Sequence, residues 1–219
     1  MRYRILTILI MTVLFLCHKP VLKAFFILEY KEYIANYCRQ YQVNPTMISA
    51  LVFTESRFDT GAQSHKGALG LMQIMPSTGG WVAEKLMWRD FSPEDLLDPQ
   101  TNLKAGIWYM AYLKKLFNHN EYLALASYNA GSRYVTKWIA DGIWDGNVVK
   151  IEQIPFAETK KYVLKIIVVQ KIYSYLYPEL LSMGSNRGMN AGVQERQDSQ
   201  STGKFKFSPA VFLGVICQK

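Results

Sequence analysis

The chain has 219 residues, half of them hydrophobic and 14% aromatic, and its formal net charge is +8. This composition is enough to bury the core of one domain, with short appendages at its ends. The positive charge suits an anionic partner, but Lys and Arg form no dense stripe of the kind that binds phosphates. Nucleic acid is therefore not expected as a partner.

The N-terminus has the layout of an export signal. Arg2 and Arg4 precede an apolar run, residues 5–16, and Pro20 follows it. This run is shorter than the roughly 20 residues of a membrane-spanning helix. The pattern predicts that residues 1–24 are a signal peptide or membrane anchor, and that the protein reaches the periplasm or cell envelope. Cleavage, retention and lipidation at Cys17 all remain open.

After a predicted amphipathic helix at residues 27–42, Asn44 and Pro45 give a strong helix start. Glu55 then falls on one helical face with three apolar residues, Ile48, Leu51 and Val52. A carboxylate placed there loses solvation, so it must find donors, find a cation, or keep its proton near neutral pH. Keeping a proton is what a general acid needs. A buried structural partner, or a helix end that has reached solvent, would explain the same pattern.

The rest of the chain favours further helices. Helical spacing or capping signals predict a short helix around residues 81–86, a longer one opened by Asp98-Pro99, and others at 121–129, 132–140 and 157–177. No alternating strand pattern competes with them, so the fold class is predicted to be all-α. The domain is expected to cover residues 25–181.

The last part of the chain changes composition. Residues 182–219 are predicted to form a low-complexity tail with a short apolar end. Cys38 and Cys217 could pair in an exported protein, although two unpaired thiols are an equally good interpretation. The three histidines are scattered and no Cys/His spacing indicates a metal, so we expect neither a metal nor another cofactor.

Four sequence blocks occur in a fixed order: Glu55-Ser56, Gly70-Leu71-Met72-Gln73, Ser127-Tyr128-Asn129-Ala130-Gly131 and the run from Ile154 to Val163. In these blocks the chain resembles the lytic transglycosylase (SLT) domain family. The resemblance implies a lysozyme-like, all-α catalytic domain that acts on peptidoglycan. It also implies that Glu55 is the catalytic acid and then the base, and that the products carry 1,6-anhydroMurNAc ends.

The resemblance also implies roles for other residues. Five positions match family residues that bind substrate: Ser64, Gln73, Met75, Tyr128 and Glu158. Tyr128 matches the Tyr whose hydroxyl approaches the catalytic Glu. Asn129 and Tyr162 are expected to be supporting residues. Asn129 would hold local backbone, and the apolar helical face around Tyr162 favours a core position.

Two other functions remain open at this point. A goose-type, lysozyme-like hydrolase would share Glu55 and the fold, but would need a second carboxylate facing it. The second alternative is a non-catalytic protein that binds glycan and serves as a scaffold in an envelope-spanning secretion or assembly apparatus. Such an apparatus, and a membrane tether, are also possible partners of an enzyme.

Overall fold

The computed structural model describes Thr7 and residues 18–184. Its α-helices are α1 (Lys31–Tyr41), α2 (Pro45–Glu55), α3 (Pro76–Lys85), α4 (Pro99–Leu116), α5 (Glu121–Ala130), α6 (Ser132–Ala140), α7 (Ala157–Leu176) and α8 (Glu179–Gly184). Two 3-10 helices, η1 (Pro93–Leu97) and η2 (Val148–Gln153), lie between them, and residues 18–25 are also helical. Within this described part there is no strand, only two isolated β-bridges, so the all-α prediction is confirmed.

Side-chain caps start the two helices whose beginnings the sequence predicts most clearly. Asn44 Oδ1 accepts the backbone N–H groups of Thr46 at 2.9 Å and Met47 at 3.3 Å. Asp98 Oδ2 accepts the N–H of Thr101 at 2.7 Å. These bonds satisfy donors that the first helical turn leaves without an intrahelical partner. The cap of α2 therefore fixes where the helix that ends in Glu55 begins.

Helix α2 lies at the centre of the domain. Residues 45–53 are all buried, because α1, α7 and α8 pack around this helix. The sequence predicted one buried face, and the structure corrects this to burial on every side. Polar residues of α2 bond within the helix, as when Ser49 Oγ donates to the carbonyl of Pro45 at 2.9 Å. A helix that is apolar all round is typical of a domain centre.

The loop between α2 and α3, residues 56–75, has irregular backbone held by a buried amide. The side chain of Asn102 is fully buried; its Nδ2 donates to the carbonyls of Leu69 at 2.9 Å and Leu96 at 2.7 Å, and its Oδ1 accepts the N–H of Met72 at 2.8 Å. Gly70 has φ +71°, and a Cβ there would lie 2.3 Å from the Leu96 carbonyl oxygen. A side chain at position 70 would therefore break this arrangement.

The segment that precedes α1 packs on the end of α7. Phe26 is buried, and the hydroxyl of Tyr177 donates to its carbonyl at 2.8 Å. Lys23 Nζ lies 4.8 Å from the centre of the Tyr177 ring. No helix in the described residues is long and apolar enough to cross a membrane. Apart from Thr7, the predicted apolar run of the export signal lies outside those residues, as does the tail from residue 185.

Cys38 is buried in α1, and this burial raises the pKa of its thiol. Its predicted partner Cys217 lies outside the described residues, so the disulfide stays a prediction.

Candidate active site

Glu55 is the last residue of α2, where the central helix meets the 56–75 loop and contacts α7 through Tyr162. Its side chain is partly buried, and this burial raises the pKa of the carboxyl from 4.5 to about 7. The end of a helix carries partial negative charge, which also disfavours a carboxylate there. Glu55 therefore holds its proton over a large part of the neutral pH range, as a general acid must.

Tyr162 of α7 donates its hydroxyl hydrogen to Glu55 Oε1, with the two oxygens 2.5 Å apart. The pKa of Tyr162 lies well above its usual value, because the residue is buried and close to Glu55. Tyr162 consequently stays protonated and acts as a fixed donor. Its ring does pack against the core, as the apolar helical face predicted, but its hydroxyl reaches the acid, which that pattern did not predict.

Lys165 lies one helical turn beyond Tyr162 on α7 and brings positive charge close to Glu55. Burial and the charge of Arg57 lower the pKa of Lys165, while Glu55 raises it. In return, the hydrogen bond from Tyr162 and the charge of Lys165 lower the pKa of Glu55 against the larger effect of burial. The carboxyl is therefore poised between its two protonation states rather than locked in one.

Tyr128 approaches Glu55 from α5, but its hydroxyl bonds elsewhere. It donates to the carbonyl of Met72 at 2.8 Å, and this bond holds the 56–75 loop against α5. Burial, followed by the charge of Glu55, raises the pKa of Tyr128 well above its usual value. The sequence predicted that this hydroxyl approaches Glu55. In the structure Tyr128 is an electrostatic neighbour of Glu55, and Tyr162 makes the hydrogen bond.

Asn129 links two helices rather than supporting only local backbone. Its Oδ1 accepts the hydroxyl of Thr159 at 2.6 Å, and Thr159 is buried in the first turn of α7. This bond joins the end of α5, which carries Tyr128, to the helix that carries Tyr162. The bond thereby helps to hold the helices of the two tyrosines near Glu55 in a fixed relation.

Ser64 and Gln73 both stabilise the loop. Ser64 Oγ accepts the N–H of Ala68 at 2.9 Å. Gln73 Nε2 donates to the carbonyls of Ala62 at 3.0 Å and Gly70 at 2.9 Å, so its two amide hydrogens are used by the protein. The side-chain oxygen of Gln73 is the part of the amide that these two bonds leave for a ligand. The Ser64 hydroxyl still has its own hydrogen to donate.

Met75, at the end of the 56–75 loop, and Glu158, in the first turn of α7, are both exposed. Met75 occupies the N-cap position of α3 with 39% of its surface exposed, so it is not a core residue. The side-chain hydrogen bond to Glu55 comes from Tyr162 and from neither of these two residues.

Sequence reasoning assigned no role to two residues that build the site. Ser56 Oγ donates to the carbonyl of Leu71 at 2.8 Å, which joins the end of α2 to the loop. Asn102 holds the same loop from α4, as described above. The sequence around Asn102 did not indicate its role, because the hydrogen-bond partners of this side chain are backbone groups outside its own helix. In the described residues no cluster of three or more His, Cys, Asp or Glu could hold a metal.

Comparison with known proteins places these features in a family. Residues 32–145 match the model of the Transglycosylase SLT domain, which is more than half of the chain. The soluble lytic murein transglycosylase of Escherichia coli (strain K12) is 32% identical over 162 residues, or 72% of this chain and 25% of that protein. The Salmonella typhimurium protein of the same name is also 32% identical, over 68% of this chain and 24% of its own length.

Solved structures give the same result. The 70 kDa soluble lytic transglycosylase from Escherichia coli superposes with a TM-score of 0.68 at 30% identity, covering 75% of this chain and 27% of that one. A second solved structure is an inactive mutant of lytic transglycosylase Slt from Pseudomonas aeruginosa, in which Gln replaces a Glu. It superposes with a TM-score of 0.64 at 31% identity, covering 70% of this chain and 25% of that one. The chain spans about a quarter of the length of these relatives. It belongs to the Transglycosylase SLT domain family, as the four sequence blocks indicated.

Proposed function

We propose that this chain is a peptidoglycan lytic transglycosylase that cleaves the β-1,4 bond between MurNAc and GlcNAc without water. The observation that carries the proposal is the state of Glu55, whose pKa burial raises to about 7 while Tyr162 holds one of its oxygens. Relatives named lytic murein transglycosylases share its family and fold. One of them was solved as an inactive Glu-to-Gln mutant, which agrees with a Glu as the essential group.

In the first step, protonated Glu55 gives its proton to the glycosidic oxygen, and the bond to GlcNAc breaks. Burial makes this possible near neutral pH, because it favours the uncharged carboxyl. The resulting carboxylate is stabilised where it stands by the Tyr162 hydroxyl and by the charge of Lys165. Stabilising the ionised product of a proton transfer lowers the barrier to that transfer.

In the second step, the Glu55 carboxylate takes the proton from the C6 hydroxyl of MurNAc while that oxygen bonds to C1 of the same ring. The new bond closes the 1,6-anhydro ring and returns Glu55 to its protonated form. The nucleophile is already part of the bound sugar, so its effective concentration is very high. No second carboxylate is needed to position water.

The electrostatics of the site favour this chemistry over hydrolysis. The groups that shift the pKa of Glu55 are Tyr162 and Lys165, and no carboxylate of the described residues is among them. Asp59, the nearest acid in the following loop, is exposed and bonds the N–H of Gly61 at 2.9 Å. A hydrolase of the two-carboxylate type would need a second acid facing Glu55.

The loop residues are proposed to bind the substrate. The side-chain oxygen of Gln73, the Ser64 hydroxyl and the exposed Met75 lie on the irregular segment beside Glu55, and Glu158 lies at the start of α7. An oxygen acceptor and a hydroxyl suit the N-acetyl and hydroxyl groups of the amino sugars. Export to the periplasm or envelope, a membrane tether and recruitment by a secretion or assembly apparatus remain proposals from the sequence.

The test is mass spectrometry of fragments released from purified sacculi by the protein and by its Glu55→Gln variant. We expect anhydromuropeptides from the parent and a loss of at least about 100-fold in the variant, the usual range for a general acid-base. Reducing-end products would instead identify a hydrolase. Release of anhydro products by the variant at the parent's rate would remove Glu55 from its proposed role.

A further inference from the structure

The short helix at residues 18–25 packs on the end of α7 as part of the folded domain. Leu22 packs against the core, and its carbonyl accepts the N–H of Phe26 at 2.8 Å. The Phe26 ring is buried, with its centre 5.1 Å from that of Phe53 in α2. The sequence left removal of residues 1–24 open, and these contacts favour retention of the helix.

Two large apolar side chains of this helix are exposed to solvent. Phe25 is 71% exposed and Val21 is 53% exposed. They stand four positions apart, so they are neighbours on one side of the helix. Among the large hydrophobic side chains of the described residues, only Met87 is more exposed than Phe25. Packing of the described residues therefore leaves this apolar pair available to an external apolar phase.

Two lysines lie on the other side of the same helix. Lys19 Nζ lies 4.6 Å from the centre of the Tyr175 ring, and Lys23 Nζ lies 4.8 Å from that of Tyr177. Both lysines are exposed. With about 3.6 residues per turn, they fall roughly opposite to the apolar pair. Basic residues on one side and apolar residues on the other are typical of helices that lie in the interface of a membrane.

The sequence before α1 is basic and apolar, and it contains no acidic residue. Glu29 is the first acid of the chain, and the Lys and Arg residues that precede it are Arg2, Arg4, Lys19 and Lys23. This excess of positive charge suits anionic lipid headgroups, which attract each Lys or Arg near the surface. The apolar run at residues 5–16 suits the acyl region beneath the headgroups. An anionic bilayer accounts for both features at once, which favours it over a protein as the partner.

We propose that residues 18–25 bind the interfacial layer of an anionic bilayer and remain in the mature protein as a membrane-contact surface of the domain. Phe25 and Val21 enter the apolar edge of that layer, and Lys19 and Lys23 stay among the headgroups. This surface differs from a simple tether. The helix that contacts lipid also packs on the catalytic domain, so it fixes the orientation of the domain on the membrane.

The place of this surface in the fold keeps lipid contact away from Glu55. The helix packs on the C-terminal end of α7, whereas Tyr162 lies in the first half of α7. Tyr162 and Tyr177 are separated by roughly 22 Å of helix, at 1.5 Å per residue. The proposal uses none of the residues around Glu55, so it stands or fails independently of the proposed function.

The first experiment locates residue 25 in vesicles of phosphatidylcholine with roughly 30% phosphatidylglycerol, using the full chain with Phe25→Trp. Lipids brominated on the upper part of the acyl chains quench Trp fluorescence on contact. We expect these lipids to remove most of the emission that the new Trp adds to that of the parent. Met87→Trp is the matched control, because Met87 is exposed in the segment after α3, and its added emission should stay unquenched.

The second experiment measures affinity for the same vesicles by flotation. Lys19→Gln combined with Lys23→Gln should weaken binding about 25-fold, because each lysine near an anionic surface contributes about fivefold. Binding to neutral phosphatidylcholine vesicles should stay unchanged, and the apolar run is present in every variant. Arg at both positions keeps the charge and should restore binding. Lys85→Gln, at an exposed position of α3, is the control.

Melting curves show whether each variant folds, and Phe25→Trp alters only an exposed ring. Unquenched emission from residue 25 in vesicle-bound protein would overturn the proposal and assign the apolar pair to a protein partner. An equal loss in Lys85→Gln and in the lysine pair would also overturn it. Mass spectrometry of the protein recovered from the membranes of expressing cells should show that residues 18–25 are retained. A mature chain that lacks them would contradict the proposal directly.

Discussion

Two regions of the molecule meet at Glu55, and they are built in different ways. On one side, the 56–75 loop has irregular backbone that a few polar side chains hold in place, chiefly Asn102, Ser56 and Tyr128. On the other side, α7 is a regular helix of 20 residues held by apolar packing against α2. The loop is therefore sensitive to the loss of single hydrogen bonds, whereas the helix position tolerates changes to any one polar group.

The two regions also differ in what their side chains can do. The loop presents groups suited to a sugar, and α7 presents Tyr162 and Lys165, which act on the protonation of Glu55. A change in the loop should alter stability and substrate binding, while a change on α7 should alter the pH dependence. This division can be tested by substitutions on each side.

The largest effect is expected for Asn102→Ala, on the loop side. The change removes three buried hydrogen bonds and leaves two carbonyls and one N–H without that partner. The Leu69 carbonyl keeps its bond from the N–H of Ile74, so two groups are left unsatisfied. Each costs roughly 1–3 kcal/mol, and we therefore expect a loss of about 2–6 kcal/mol in the free energy of unfolding. Denaturant unfolding measures it, with Asn36→Ala as the control, since Asn36 is exposed within α1. A loss below about 1 kcal/mol would show that the loop is held by other contacts.

Next is a gain of stability in Glu55→Gln at alkaline pH. The folded-state pKa of Glu55 is raised from 4.5 to about 7, so folding favours the protonated form. The folded state then binds more protons than the unfolded state between these two values, and stability falls as the pH rises through this window. Gln has no charge to bury, so the variant should be more stable than the parent by about 1–3 kcal/mol at pH 8.

At pH 4 the same pair should have nearly equal stability, because Glu55 is then protonated in both the folded and unfolded states. Unfolding curves at the two pH values check this. Equal stability of parent and variant at pH 8 would contradict the raised pKa.

A smaller effect is expected for Tyr162→Phe, on the α7 side. Loss of its hydrogen bond should lower the rate about tenfold, the size of one charge-assisted bond. It should also raise the pKa of Glu55, because that bond lowers it. The alkaline limb of the pH–rate profile would then move to higher pH. Tyr128→Phe is the matched control: it loosens the loop at Met72 and should leave the limb in place. A shift of the same size in both variants would remove the distinction between the two regions.

The smallest effect is expected for Ser127→Ala in α5. The Ser127 hydroxyl is buried and bonds none of the described residues. Removing such a group should leave stability unchanged or raise it by up to about 1 kcal/mol. Ser49→Ala in α2 is the control, since the Ser49 hydroxyl bonds the Pro45 carbonyl and its loss should be destabilising. Destabilisation by Ser127→Ala would reveal a bond partner, such as an ordered water, beside Tyr128.

The sequence was most informative where local rules decide the structure. Asn44 and Asp98 were recognised as helix starts because a cap acts on backbone only two or three residues away. The position of Glu55 at the inner end of a buried helix followed from the apolar run before it. The fold class followed from helical spacing, and the family from four short blocks.

The site could be predicted less completely, because its contacts join distant segments. Tyr162 reaches Glu55 across 107 positions of the chain, and Asn102 reaches Leu69 across 33. Apolar spacing favoured a core role for Tyr162, but it could not indicate where the hydroxyl end would lie. Apolar spacing likewise predicted a single buried face for α2. The spacing within one helix carries no information on how many other helices surround that helix.

The most direct test of this account is the pKa of the Glu55 carboxyl itself, followed by NMR in protein labelled with ¹³C at glutamate side chains. The assignment comes from the signal that is missing in Glu55→Gln. We predict titration near pH 7, and a higher value in Tyr162→Phe. Titration near 4.5, the ordinary value for a Glu, would mean that the carboxyl is charged at neutral pH, and it would contradict the proposal that Glu55 is the general acid.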